Sequence, residues 1–166
     1  MTALYALNAQ QEQELFDEVL HAVREKKIRI IEHWLDNECM IVGGAAGSIK
    51  EFRARYRLAT MATRKKLADD TSELVNIRAT GHGWCLASDA GCGGQGLYEP
   101  TRCLGCRNGV IDSSHIPVWQ NILAQQRELL VNAADCGPSG SRRIERDLAH
   151  AEKVLGDLGV TIGRTT

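Results

Sequence analysis

The sequence predicts an all-α protein whose helical hairpins flank a small, irregular, cysteine-rich loop module. Three observations predict it. Apolar residues recur near i, i+3 and i+4 over four long stretches, the spacing of one buried helical face. Capping residues and glycines stand where those stretches would begin and end. Between the second and third stretches four of the six cysteines fall within 22 residues, in a segment thick with glycine and almost free of aliphatic side chains. Such a segment cannot fold by burying apolar surface alone, so a bound metal ion is the economical way to organise it.

The first helix is expected over residues 9–38, with Leu15, Phe16, Val19, Leu20, Val23, Ile30, Ile31, Trp34 and Leu35 forming one broad apolar stripe. Lys26, Lys27 and Arg29 interrupt its middle and allow a break there. Gly43-Gly44-Ala45-Ala46-Gly47 reads as a flexible turn. Ser48 would then cap a second helix over 49–69 that buries Ile49, Phe52, Tyr56 and Met61. Ser113 or Ser114 would cap a third helix over 115–131, with Pro117 in its first turn, where the missing N–H costs little. Its stripe is Trp119, Ile122, Leu123, Gln126, Leu129 and Leu130. A turn at 135–140 leads to a fourth helix over 141–158, striped by Ile144, Leu148, Ala151, Val154, Leu155 and Leu158 and closed by Gly159. The last two helices should pack as an antiparallel hairpin, with a frayed tail after residue 161. The chain thus divides into an N-terminal helical region (1–70), a cysteine module (71–112) and a C-terminal hairpin (113–166).

At 166 residues the chain fits one domain, or one domain with a small module. Its 20 basic and 21 acidic residues nearly cancel, so net charge names no partner. No run of 18 apolar residues occurs and the N-terminus is polar, which predicts a cytoplasmic protein with no membrane role. The second helix is locally basic: Lys50, Arg53, Arg55, Arg57, Arg64, Lys65 and Lys66 face only Glu51 before Asp69. Two readings compete. Arg53, Arg55, Arg57, Arg64, Lys65 and Lys66 could contact DNA phosphates. Alternatively, the helix is a solvated face answering residues 1–49, which carry eight acids against four bases.

Cys85, Cys92, Cys103 and Cys106 follow the pattern Cys-x6-Cys-x10-Cys-x2-Cys. The absence of an export signal, the clustering and the CxxC pair favour a closed, structural Zn²⁺ site over disulfides. A redox CxxC would want a helix starting at its first cysteine and a βαβ setting, and neither is seen. His82 and His115 are spare ligands, more simply read as surface or helix-capping residues. Cys39 and Cys136 stand alone as ordinary thiols. Chemistry is sparsely signalled: no phosphate-binding glycine loop, GxSxG or HExxH is present. His21-Ala-Val-Arg24 with a later Tyr56 is a two-letter match on an amphipathic helix and reads as coincidence.

The stretch from Gly93 through Tyr98-Glu-Pro-Thr-Arg-Cys103-Leu-Gly-Cys106-Arg-Asn-Gly-Val-Ile111, then His115-Ile-Pro-Val-Trp119 and the terminal hairpin, resembles a known pattern. It is similar to the cysteine-containing C-terminal tail of tyrosine-type site-specific recombinases, the integrases of phages and other mobile elements. In those tails a cysteine module precedes a His-x-x-x-Trp helix, a Gly-Pro turn and a last helix rich in Arg, Glu and Ala. The matching region, 76–160, covers about half the chain. The resemblance implies a setting in mobile-element DNA integration, without catalysis by this polypeptide, since the family's Arg, His/Lys and Tyr machinery belongs to a domain that would lie upstream. The expected function is a non-catalytic, integrase-tail-like zinc module that binds DNA or docks onto a recombinase. The rival is a zinc-stabilised interaction or dimerisation module with no nucleic-acid role, in which the Trp119 hairpin pairs with another helix or with itself.

Overall fold

The computed structural model describes residues 2–55, 61–88 and 102–163, with side chains from residue 8 onward except at Arg102. Helices are α1 (Thr2–Leu35), α2 (Ala46–Arg55), α3 (Met61–Ser72), α4 (Arg102–Gly105), α5 (Ile116–Val131) and α6 (Gly137–Asp157). Strands are β1 (Ile41–Val42), β2 (Arg78–Ala79), β3 (Trp84–Cys85) and β4 (Gly109–Asp112). The all-α expectation needs correcting: the protein is mostly helical, at 71%, and carries a small antiparallel sheet in the order β1-β4-β3-β2. Ile41 lies opposite Asp112, Trp84 opposite Val110 and Cys85 opposite Gly109. Strands of two to four residues leave too little chain for a period of two to show in the sequence.

The chain divides into two compact units. One comprises Met1–His33 with Leu58–Val75, and the other Trp34–Arg57 with Asn76–Thr166. In the first unit α1 runs unbroken through Lys26, Lys27 and Arg29, because those long side chains reach solvent or lie half-buried without disturbing the backbone ladder. Arg24 ties α1 to the end of α3 through Asp69 at 2.9 Å and Glu73 at 3.1 Å. The expected continuous stripe is split in fate. Ile31, Trp34 and Leu35 are buried, whereas Leu15, Phe16, Val19, Leu20 and Val23 are 49–62% exposed. The expected second helix is also split, into α2 and α3. It starts at Ala46, so Ser48 lies inside α2 and does not cap it. Met61 is exposed, Ile49 and Phe52 are half-buried, and Tyr56 lies outside the described residues.

The second unit is built on the expected hairpin of α5 and α6. Trp119 and Leu123 on α5 meet Ala151, Val154, Leu155 and Leu158 on the α6 side, and Val42 and Ile111 of the sheet close the cluster. Pro117 and Pro138 sit in the first turns of α5 and α6, where proline removes no helical bond. α6 therefore begins at Gly137, inside the stretch read as a turn. It ends as expected at Gly159: Val160 N–H reaches the Leu155 carbonyl and Gly159 N–H the Gly156 carbonyl, both at 2.9 Å. The tail does not fray at once. Ile162 packs on the core, and Arg127 donates to the Gly163 carbonyl at 3.1 Å.

Trp119 is fully buried and its indole N–H donates to the His82 carbonyl at 2.8 Å. Trp119→Ala should therefore lower stability by about 3–5 kcal/mol, read as a shift of the urea midpoint with an unchanged slope.

Candidate functional site

All four residues of β4 are buried, because the strand is hydrogen-bonded on both sides, by β1 and β3. This carries a carboxylate, Asp112, into the interior at 2% exposure. Donors converge on it from three directions. The indole N–H of Trp34, near the end of α1, reaches Oδ2 at 2.9 Å, and that of Trp84 on β3 reaches the same oxygen at 2.8 Å. Oδ1 accepts from the Ser114 backbone N–H at 3.1 Å and from the Ser114 hydroxyl, and meets His115 Nδ1 at 3.0 Å. The bond to the Ser114 N–H caps the single 3₁₀ turn Ser113–His115 that launches α5. Capping thus falls to Asp112, not to either serine. Burial alone would raise the Asp112 carboxyl. The hydrogen bonds from His115, Ser114 and Trp34, together with the nearby imidazole, outweigh it and hold the carboxyl well below the usual carboxylate range.

Ser114, His115 and Asp112 have the composition of a nucleophilic triad but not its geometry. Both Ser114 Oγ, at 3.2 Å, and Asp112 face the same imidazole nitrogen, Nδ1. A relay needs serine and aspartate on opposite nitrogens. Ser114 instead donates to the carboxylate, which consumes the proton a base would have to take. The cluster is structural chemistry.

The two histidines considered as spare ligands are both buried, which corrects their reading as surface residues; His115 stands at the N-cap position of α5, though its side chain makes no capping bond. His82 packs edge-on against Trp119 at 6.1 Å between centroids, and Trp84 packs against His115 at 5.3 Å. Burial pushes the His82 imidazole down in pKa, a backbone hydrogen bond at Thr80 opposes this, and nearby His115 adds to it. Burial likewise pushes the Cys39 thiol up, against the pull of Arg53. Cys136 is exposed.

Of the four cysteines in the quartet, Cys85, Cys103 and Cys106 are described and Cys92 is not. Cys103 lies in α4 and Cys106 just after it, in a tight turn in which the Gly109 N–H reaches the Cys106 carbonyl at 2.8 Å. Cys85 pairs across the sheet with the same Gly109. A side chain at Gly109 would strike the Cys103 carbonyl, and one at Gly44 would strike the Cys106 carbonyl. Gly43 and Gly44 therefore press onto the cysteine turn, while Ala46 and Gly47 already belong to α2. Leu104, between the two cysteines, packs on the hairpin core. Among the described residues no group of three or more His, Cys, Asp or Glu side chains is close enough to hold a metal. A cleft of about 840 Å³ opens beside the turn, bordered by Gly44, Lys50, Leu104, His150, Lys153 and Asp157. Asp157 pairs with Lys153 at 2.9 Å, so the cleft is mixed in charge.

The basic residues are scattered. Arg53 is buried and donates to the Trp34 and Cys39 carbonyls, at 2.9 Å for the latter, so it braces the fold and is not available to a phosphate. Arg55 is exposed in the second unit. In the first unit Arg64 is half-buried, Lys65 is exposed, and exposed Lys66 pairs with Asp70 at 2.9 Å. Arg57 lies outside the described residues.

No protein-family model, curated protein or solved structure matches this chain. Its function has to be argued from the residues and their geometry. Sequence reasoning passed over Asp112, whose signal was an Asp-Ser-Ser cap placed directly after the apolar pair Val110-Ile111.

Asp112→Asn tests the cluster. The folded carboxyl ionises below the unfolded value of about 3.9, so its contribution is fully present above that pH and is lost as the pH falls through and below it. At pH 7 the variant should be less stable by about 2–4 kcal/mol. The gap to wild type should close on acidification below about pH 4, as followed by urea melts across the acid range.

Proposed function

We propose that the chain is a non-catalytic, zinc-organised module of the integrase-tail kind, acting in mobile-element DNA recombination by binding DNA or docking onto a recombinase. The observation that carries this reading is the join at Gly109. Cys85 across the sheet and the Cys103–Cys106 turn meet at that one glycine, and Leu104 anchors the turn to the terminal hairpin. A joint of this kind fits a rigid connector better than an active site, and the polar groups beside it are spent on one another. In this proposal Cys85, Cys103 and Cys106, which the described structure does not bring together as a metal-holding group, would close with Cys92 around a structural zinc ion. Zinc supplies a cross-link among thiolates, with ligand closure coupled to metal binding.

For DNA, the residues open to phosphate contact are Arg55, Lys65 and Lys66, with Arg64 at the edge, while Arg53 is withdrawn. The rival reading, a protein-interaction module without a nucleic-acid role, is favoured by the exposed apolar stripe of α1. Trp119 itself is fully buried, so pairing through the hairpin would use its exposed Leu129, Leu130 and Val131 instead.

Metal analysis of the purified chain should return one zinc per molecule, lost in Cys103→Ser and Cys106→Ser; a zinc-free chain with all thiols titratable contradicts the zinc assignment. Binding to duplex DNA should weaken with salt at a log–log slope of about −3 to −4 if four cations each neutralise one phosphate. Arg55→Glu should weaken all sequences about equally. Absent or salt-insensitive binding favours the rival.

A further inference from the structure

Every described side chain of α1 from residue 8 to residue 24 is exposed, yet this segment carries Leu15, Phe16, Val19, Leu20 and Val23 at 49–62% exposure. At about 100° per residue these five fall within one arc of about 140°. An apolar stripe of that width on a long helix needs a cover. The charges beside it say which. Residues 8–20 hold Glu12, Glu14, Asp17 and Glu18 with no base, and residues 21–30 hold Arg24, Lys26, Lys27 and Arg29 against Glu25 alone.

We propose that α1 pairs antiparallel with α1 of a second copy of this chain, about a two-fold axis beside Val19. In that register Leu15 and Phe16 face Val23 of the second copy, and Val19 and Leu20 face their own counterparts. Glu12, on the same face, then comes level with Lys26 and Lys27, and Glu14 comes level with Arg24. The acidic half of each helix thus lies along the basic half of the other. A parallel pair would set acid on acid and base on base. Arg24 already meets Asp69 and Glu73, so the pairing with Glu12 falls first to Lys27. The contact spans residues 12–27, about 24 Å of helix.

Sedimentation equilibrium of the full chain should show a dimer at about 100 µM. Raising the salt should weaken it, since opposite charges are being screened. Val19→Glu with Leu20→Glu, both at exposed positions, should raise the dissociation constant by roughly 100-fold or more. Glu12→Lys alone, and Lys26→Glu with Lys27→Glu alone, should each weaken the dimer. Combining all three should restore it, which a merely destabilising set would not do. A monomer throughout, a dimer indifferent to Val19→Glu/Leu20→Glu, or one that tightens with salt would overturn the proposal; a monomer would leave this stripe to a different protein.

Discussion

An ionised carboxylate taken out of water costs several kcal/mol unless donors replace its hydration, and the second unit is arranged around one that has them. Asp112 receives indole N–H groups from Trp34 and Trp84, a backbone N–H and a hydroxyl from Ser114, and the His115 imidazole. Those donors come from the end of α1, from β3 and from the turn that starts α5. One side chain therefore fixes where a helix ends, how two strands sit and where the hairpin begins. All three tryptophans of the chain give their N–H to a buried acceptor, the third through the His82 carbonyl. With few aromatic residues available, the fold concentrates them where they contribute apolar area and a polar contact together.

The cysteine turn depends on this arrangement. β4 carries Asp112 at one end and Gly109 at the other, so the carboxylate that seats the strand also seats the glycine against which the Cys103 and Cys106 carbonyls press. Apolar contact through Leu104 adds to it. The loop was expected to lack such support because its own sequence holds few aliphatic residues. For its described part from Cys103 to Gly109, support comes from the sheet and the hairpin. A metal ion in the proposed role would add to a partly formed joint and would not have to create one.

The hairpin was legible because α5 and α6 each show a full apolar period, with proline at the start of α5 and glycine at the end of α6, whereas Gly137-Pro138 at the start of α6 reads as a turn. The sheet was not, since pairs such as Arg78–Ala79 and Trp84–Cys85 are too short to carry a pattern and are defined by pairing partners far away in sequence. Charge was legible as composition but not as exposure. Arg53 looks like its basic neighbours in the sequence, and only the carbonyls of Trp34 and Cys39 mark it as a brace. Leu15 to Val23 show the converse: a periodic stripe predicts a buried face, but it cannot say whether the cover is in the same chain. For the candidate site, the sequence picked out the cysteines and missed the carboxylate, because the capping role of Asp112 was assigned to Ser113 or Ser114 beside it.

The claim that one carboxylate holds Trp34 and Trp84 together is tested most directly at their indole N–H groups. Hydrogen exchange followed by ¹⁵N NMR should find both protected in the wild-type chain. In Asp112→Ala both should lose protection together, by roughly 100-fold or more, ahead of the Trp119 indole, which depends on the His82 carbonyl. Continued protection of Trp34 and Trp84 in that variant would contradict the account.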